Sequence, residues 1–420
     1  MMSTRWMAGA LVAVMFTARD SSAQTDKGSI PPSSKRMVSA LDGKLNVPEG
    51  FKVQVFADSI RRARFMALGP DGAVYLSLPA GGQTGGRGAG PGGTDTPRTG
   101  GGQVMRLVDR NNDGVADERE IVVNGIEGAH GLAFHNGYLY IAALRGVHRV
   151  KLDATGKPSG TPEQLNSYPY NGGHSTRTIV FGKDGAMYVA IGSSCNICLE
   201  KSPELAAVMR YDANGKNGRV YSSGLRNAVG MNVHPTTGEI WVSQHERDML
   251  QPDYQNLPSE EINILRDGGD FGWPFCHDDR APNPDDVVKD SVAAGVCART
   301  LPPALKIQAH AAPLGLTFLN GATNLPAEYR GDALVALHGS WNRAVPVGAV
   351  VVRVRVQNGK PVGYEEFITG WQGESTPGQM PNRWGRPVDI LVYKDGSLLV
   401  SDDGGQPATR NPGAIYRVYR

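Results

Sequence analysis

A chain of 420 residues with 54 glycines and 28 prolines is rich in turns and poor in room for long helices, yet its 40% hydrophobic content is ample for a core. Its 43 basic and 41 acidic side chains leave a net charge of only +2, which excludes the basic footprint of a nucleic-acid binder and favours small or neutral partners. The length would allow two or three ordinary domains, but closed β architectures often run this long as one.

At the N-terminus, Arg5 precedes an apolar run from Trp6 to Thr17, and Ser21, Ser22 and Ala23 follow as small residues at cleavage-type positions. The run is too short to span a bilayer, so residues 1–23 read as a removable export signal in preference to a retained anchor. The expected location is periplasmic or secreted, with no membrane span in the mature chain. Residues 24–45 are polar and irregular and read as a flexible arm ahead of one domain over 46–420. Four cysteines fit an oxidising compartment. Cys195 and Cys198 form a C-x-x-C that could be redox-active or metal-binding, but it has no second C-x-x-C and no thioredoxin-like βαβ setting. Two structural disulfides, Cys195 with Cys198 and Cys276 with Cys297, are the better reading.

From residue 51 onward one plan recurs. ALGPDGAVYLSL (67–78), GLAFHNGYLYIAAL (131–144), TIVFGKDGAMYVAI (178–191), GMNVHPTTGEIWVSQ (230–244) and DILVYKDGSLLVSDD (389–403) each run from an apolar strand through a tight turn into a second apolar strand. A looser copy is GLTFLNG to ALVALHG (315–339), and each copy is followed by another short alternating strand such as AVMRYDANG or AIYRVYR. Six such units predict an all-β fold, a six-bladed β-propeller closed by pairing the two chain ends. A large β-sandwich would not explain six copies of one hairpin. Two segments stand outside the repeat: a low-complexity Gly-rich loop at 79–102, which lacks the Gly-Lys-Ser/Thr of a phosphate loop, and a Pro- and Asp-rich insertion at 275–309 closed by Cys276 and Cys297.

Three sets of residues fall just before or just after the repeated strands, positions that crowd one end of a propeller channel. In the first, His174 and Arg177 precede TIVF; an imidazole there can take a proton from an alcohol while a guanidinium stabilises developing charge, although a lone histidine in a Gly-Gly turn is often only a surface residue. In the second, Arg226 and Asn227 in GLRNAVG offer donors suited to a ligand rich in carbonyl and carboxylate oxygens. The third runs from Gln244, His245, Glu246, Arg247 and Asp248 to Glu260, Glu261 and Asn263; these oxygens suit Ca²⁺ or, equally, a solvated charged loop. Separately, Asp109, Asn111, Asp113, Asp117 and Glu120 satisfy the spacing of a calcium loop, but strands flank them, so the expectation is a structural Ca²⁺ loop on a hairpin or a plain Asn-Asp-Gly turn.

Taken together, GGHSTRTIVFGKDGAMYVAIGSSCNIC, GLRNAVGMNVHPTTGEIWV, EEINILRDGGDFGWPFC and ALHGSWNR resemble the soluble pyrroloquinoline-quinone (PQQ) sugar dehydrogenases, the glucose/sorbosone dehydrogenase family, and more closely its sorbosone dehydrogenase-like branch. The likeness runs from about Val47 to Arg420. It implies a propeller with the quinone on the channel axis and Ca²⁺ beneath it, and an enzyme oxidising a sugar, aldose or related alcohol or aldehyde and passing electrons to an external quinone or cytochrome. By motif, His174 resembles the general base and Arg226 the arginine that polarises the quinone carbonyl, with Asn227 its neighbour. His245 falls in the cofactor-binding segment, and the backbone carbonyls of Glu246 and Arg247 resemble the calcium ligands. Arg343 and Arg386 resemble the residues that hold the cofactor carboxylates, His310 falls on the adjacent wall, and His130, with Arg177, is the counterpart of the sugar-binding side. The chain departs from the glucose enzymes in carrying Glu246-Arg247 for a Gly-Pro pair and Val388 for a second arginine. The alternatives are a calcium-dependent propeller lactonase or a non-catalytic propeller that binds glycan or protein.

Overall fold

The computed structural model describes residues 29–79, 101–170, 172–374, 381–405 and 411–420. The expected export signal and nearly all of the Gly-rich loop lie outside the described residues.

Six blade sheets form the ring, five of four antiparallel strands and one, that of Arg177–Phe181, with a short fifth strand, Gly269–Asp270, added in parallel; two two-stranded sheets lie beside them. We number the blades by their innermost strands: Met66–Leu68, Gly131–His135, Arg177–Phe181, Ala228–Val233, Pro313–Phe318 and Pro387–Val392. Each innermost strand neighbours the next, and the sixth returns to the first, so the ring is closed. The six hairpins read from the sequence are the two inner strands of the six blades. Their alternation fails in the second strands, such as Met187–Ile191 and Ala333–Leu337, which are buried on both faces because a neighbouring blade covers each one. Outer strands such as Pro158–Gln164 meet water and are polar. Closure comes from Lys52–Ala57, which pairs antiparallel with Ala414–Tyr419 as the outer strand of blade 6. This leaves no open inner edge at the seam.

The turns follow their chemistry. In blade 2 the Asn136-Gly137 pair has φ of 48° and 77°, as a two-residue type I′ turn needs. Around the axis, side chains tie neighbouring blades: Thr178 Oγ1 donates to Val229 O (2.5 Å), Ser243 Oγ to Leu314 O (2.5 Å), Thr317 Oγ1 to Ile390 O (2.5 Å), and Met66 N to Asp389 Oδ2 (2.8 Å). The innermost strands approach closely enough that a Cβ on Gly230 would meet Leu314 O at 2.0 Å.

Two expectations change. The flexible arm is ordered from residue 29 on: Met37–Ala40 pairs with Leu45–Pro48, and Leu45 and Val47 are buried against Phe367 and Trp371. Apolar side chains at alternate positions after Lys44 give the arm a face to bury, which its polar first half concealed. The insertion at 275–309 is also not wholly outside the repeat, because Leu305–Ile307 pairs with Glu260–Ile264 as the outer strand of blade 4. The rest carries a short helix, Lys289–Ala293, and the Cys276–Cys297 disulfide. The Cys195–Cys198 disulfide is formed as well. No helix among the described residues is long and apolar enough to cross a membrane.

Candidate active site

The loops before the innermost strands and those after the second strands meet at one end of the ring. On the side of blades 3 and 4, Gly192 is the meeting point: a Cβ there would lie 2.6 Å from both His174 Cβ and Asn227 Oδ1. His174 Nδ1 is 3.0 Å from Ser193 O and 3.0 Å from Ser193 Oγ. A carbonyl can only accept, so Nδ1 carries the proton and Nε2 keeps the lone pair. Burial, reinforced by the Arg226 guanidinium and by His245 and Arg177, holds the His174 pKa well below the usual histidine value. The ring is therefore neutral at neutral pH and able to take a proton.

Arg226 is only 4% exposed and its guanidinium is fully engaged. Nε donates to Asn196 O (3.1 Å), Nη1 to Glu246 O (2.7 Å), and Nη2 to Asn196 Oδ1 (2.9 Å) and Asp248 Oδ2 (3.3 Å). Asn227 O accepts from His245 N (3.0 Å), and Asn227 Nδ2 lies 3.5 Å from His245 Nδ1. His245 Nε2 donates to Pro313 O (2.9 Å), and burial with the nearby Arg226 pushes the ring pKa down to about 3.

On the side of blades 5, 6 and 1 a second group forms around Asp403. Its Oδ2 is 3.0 Å from both Arg64 Nη1 and His338 Nε2, and these partners with Arg386 hold the carboxyl well below its usual value against burial. Arg386 Nε donates to His338 O (3.1 Å), and burial lowers its pKa. His338 is pushed down to about 3 by burial first and by Arg386 next. The two groups share one field, since Arg64 and His338 also bear on His245. His130, 2% exposed, donates from Nδ1 to Arg177 O (3.0 Å), leaving a buried Nε2 with no partner, and its ring lies 4.4 Å from Phe65. Arg177 is 1% exposed; Nη1 donates to His174 O (2.8 Å), while Nε and Nη2 have no hydrogen-bond partner and the guanidinium lies over Tyr168.

Three expected roles move. Arg343 fastens a rim loop, donating to Gln255 O, to Ala309 O (3.5 Å) and to Val345 O (3.3 Å), so its guanidinium is committed to backbone carbonyls. His310 does the same with Tyr254 O (2.7 Å) and Leu257 O (3.2 Å), at a φ of 63°. The carbonyl of Glu246, expected as a calcium ligand with that of Arg247, accepts from Arg226 instead. Arg247 itself is paired through its side chain with Asn283 Oδ1 (2.6 Å) and Asp285.

The calcium loop at 109–120 does not converge. Glu120 pairs with Lys157 (2.9 Å), Asp117 Oδ2 accepts from Arg110 N (2.7 Å), Asn111 and Asp113 bond each other, and Lys394 Nζ donates to Asp109 O (3.0 Å). The strand that carries Glu120 turns it outward, so the segment is a self-bonded turn. Oxygen donors gather elsewhere, below His245. Glu246, Glu260 and Glu261 are buried there with raised pKa values, Glu260 to about 8, all through burial first, and the side-chain oxygens of Gln244 and Asn263 have no partner. That donor set suits a hard cation chemically. Among the described residues only Cys195, Cys198 and Glu200 stand at metal-ligand spacing, and those sulfurs are joined in the disulfide, so an ion would have to draw the glutamates together.

The sequence pattern of the TrAA12-like family matches residues 98–416. The chain belongs to that family. The kinship read from the motifs is upheld at this level. The chain is similar to a Borreliella burgdorferi protein, at 27% identity over 90% of this chain and 92% of that one. A pyrroloquinoline quinone-dependent sugar dehydrogenase of Hypocrea jecorina is 31% identical over 44% of this chain and 46% of that one. The pyranose dehydrogenase of Coprinopsis cinerea is 25% identical over 86% of this chain and 53% of that one, so the chain spans about half the length of these two dehydrogenases. The structure of the PQQ domain of that pyranose dehydrogenase in holo form superposes with a TM-score of 0.69 at 20% identity, covering 91% of this chain and all of that one, which establishes the propeller fold.

Arg64, Ser193, Asn196, His338 and Asp403 had not stood out in the sequence. Arg64, however, precedes the first strand of blade 1 much as His174 does in blade 3, and His338 and Asp403 end or follow second strands as His245 does, so aligning the six hairpins residue by residue would have marked them.

Proposed function

We propose that this chain is an exported quinoprotein dehydrogenase that oxidises a sugar or a related alcohol or aldehyde, with His174 as general base. The observation that carries the proposal is the fixed tautomer of His174, whose basic Nε2 belongs to a neutral ring set among cations. A base must be unprotonated at working pH, and Arg226 together with burial keeps it so. The names of the Hypocrea and Coprinopsis relatives support the quinone and the sugar. Pyrroloquinoline quinone supplies the hydride acceptor when bound, and its carboxylates match the cations at Arg64 and Arg386. The buried unpartnered Nε2 of His130 and the donors of Arg177 point the same way, towards an oxygen-rich ligand. Calcium enters this reading through Glu246, Glu260 and Glu261, where it would neutralise carboxylates close to the cofactor segment.

Within this reading an external quinone or cytochrome takes the electrons, and a sorbosone-type aldehyde or an aldose is the first substrate to try. A propeller lactonase would need carboxylates around one central metal. Asp403 is already committed to Arg64 and His338, which leaves Glu246, Glu260 and Glu261 as the carboxylates for a metal. The test is to titrate the purified chain with PQQ by absorbance, with and without calcium, and then to follow dye reduction over a panel of aldoses, sorbosone and alcohols. Absence of both quinone binding and dye reduction refutes the proposal; hydrolysis of lactones without quinone would favour the alternative.

A further inference from the structure

We infer that Asn196, carried inside the four-residue loop that the Cys195–Cys198 disulfide closes, is the positioning residue that fixes Arg226 for the reaction proposed above. Every polar atom of its amide side chain and its carbonyl is used. The carbonyl accepts from Arg226 Nε (3.1 Å) and from Trp273 Nε1 (3.2 Å). Oδ1 accepts from Arg226 Nη2 (2.9 Å) and from Asp248 N (2.8 Å), and Nδ2 donates to Asp248 O (3.0 Å). Asn196 therefore supplies two of the acceptors on which a buried, permanently charged guanidinium depends, and it also holds the backbone of Asp248, the one carboxylate that pairs with Arg226.

The same loop serves the base. Ser193 accepts from His174 Nδ1, and its own hydroxyl donates to Cys195 O at 2.6 Å. Glu200 anchors the neighbouring turn, accepting from Ser194 N (2.6 Å) and Ser194 Oγ (2.7 Å). With the disulfide spanning a Cα separation of 6.2 Å, the loop has little freedom to let Asn196 drift. His174 and Arg226 come from different blades, so their relative placement needs a common template, and the C-x-x-C loop provides one. Asp248 extends it to blade 5, where Asn342 Nδ2 donates to Asp248 Oδ1 at 2.7 Å.

This inference rests on Arg226 acting at the quinone, so its test includes an arm that needs neither quinone nor sugar. In the apo chain, the His174 ring is titrated by NMR in wild type, Asn196→Ala, Asn196→Asp and Arg226→Lys. The charged and titratable groups facing that ring are Arg226, His245 and Arg177, and Arg226 is the one Asn196 holds. The expected result is an upward shift of the His174 pKa in Asn196→Ala; Asn196→Asp also raises it, through the charge it adds beside Arg226, and serves only as the charge control. In the loaded enzyme, Asn196→Ala should lower kcat at least tenfold with KM for sugar little changed. Adding it to Arg226→Lys should cost no further activity, since coupled residues are not additive. An unchanged His174 titration, or losses that multiply in the double variant, would overturn the inference. If wild type binds no quinone, the proposed function fails while the NMR arm still decides the coupling. If Asn196→Ala does not fold, the Cys195→Ser/Cys198→Ser pair, which adds no charge and is expected to shift the titration in the same direction, decides it.

Discussion

Replacing His174 by Asn separates its two nitrogens. An asparagine amide can reach towards Ser193 O as Nδ1–H does now, but it has no lone pair where Nε2 stands. The local hydrogen bond is retained, so the stability cost should stay below about 1 kcal/mol. Loss of a general base costs about 10²- to 10⁴-fold in rate, or about 3 to 5 kcal/mol of barrier. His174→Ala should lose similar activity and be less stable by about 0.5 to 1.5 kcal/mol, because Ser193 O loses its imidazole partner but keeps the backbone N–H of residue 174 (3.0 Å). The assay is steady-state dye reduction at saturating quinone, with thermal unfolding in parallel. Because the folded pKa lies well below 6.5, wild-type kcat/KM should be flat through neutral pH and fall only in acid, where His174 takes up its proton. An Asn variant within threefold of wild type, or an acid limb centred near the ordinary histidine value, would refute the assignment.

Three further outcomes follow from the same geometry. Gly192→Ala places a Cβ 2.6 Å from both His174 Cβ and Asn227 Oδ1, so both must move, and kcat should fall about 10- to 100-fold in a folded protein; circular dichroism and kinetics check it. Arg386→Gln removes a buried cation facing Arg64 and Asp403, and quinone affinity in absorbance titration should weaken about 10- to 100-fold. Burial pushes the Glu260 carboxyl from the ordinary glutamate value of about 4.5 up to about 8, so its stabilisation is complete below about 4.5 and lost as pH rises through about 8. In calcium-free buffer this amounts to about 2 kcal/mol between pH of about 6.5 and about 8, and added calcium should offset it if Glu246, Glu260 and Glu261 close on the ion. Stability that rises over that interval without calcium would contradict the burial argument.

The propeller was legible because its hairpins repeat one pattern: an alternating strand, a turn that demands Asp-Gly or Asn-Gly, and a second strand apolar on both faces. His174, Arg226, Asn227 and His245 were legible for the same reason, being at fixed offsets from those strands. The calcium loop misled because ligand spacing is a helix-loop-helix property. On strands, alternation sends Glu120 to Lys157 and solvent. Asn196 was hidden by its neighbours, since a C-x-x-C draws attention to sulfur while the chemistry belongs to the amide between. The carbonyl of Glu246 could not be assigned from sequence, because what it faces depends on how Arg226 crosses from the next loop.

The ring divides its work between two halves. Blades 3 and 4 bring the neutral His174 imidazole and the Arg226 guanidinium close together, joined through Ser193, Cys195 and Asn196. Blades 5, 6 and 1 bring Arg64, His338 and Arg386 around Asp403, with Asp402, which accepts from Arg386 N (2.7 Å), beside it. A low-dielectric ring cannot hold this many cations cheaply, and the histidines answer by staying neutral, with His245 and His338 pushed down to about 3. Arginine has no such escape, so Arg64, Arg226 and Arg386 keep their charge against Asp403 and Asp248. Arg64 and Arg386, across the ring from His174, are the part of this positive field that a small polycarboxylate would meet.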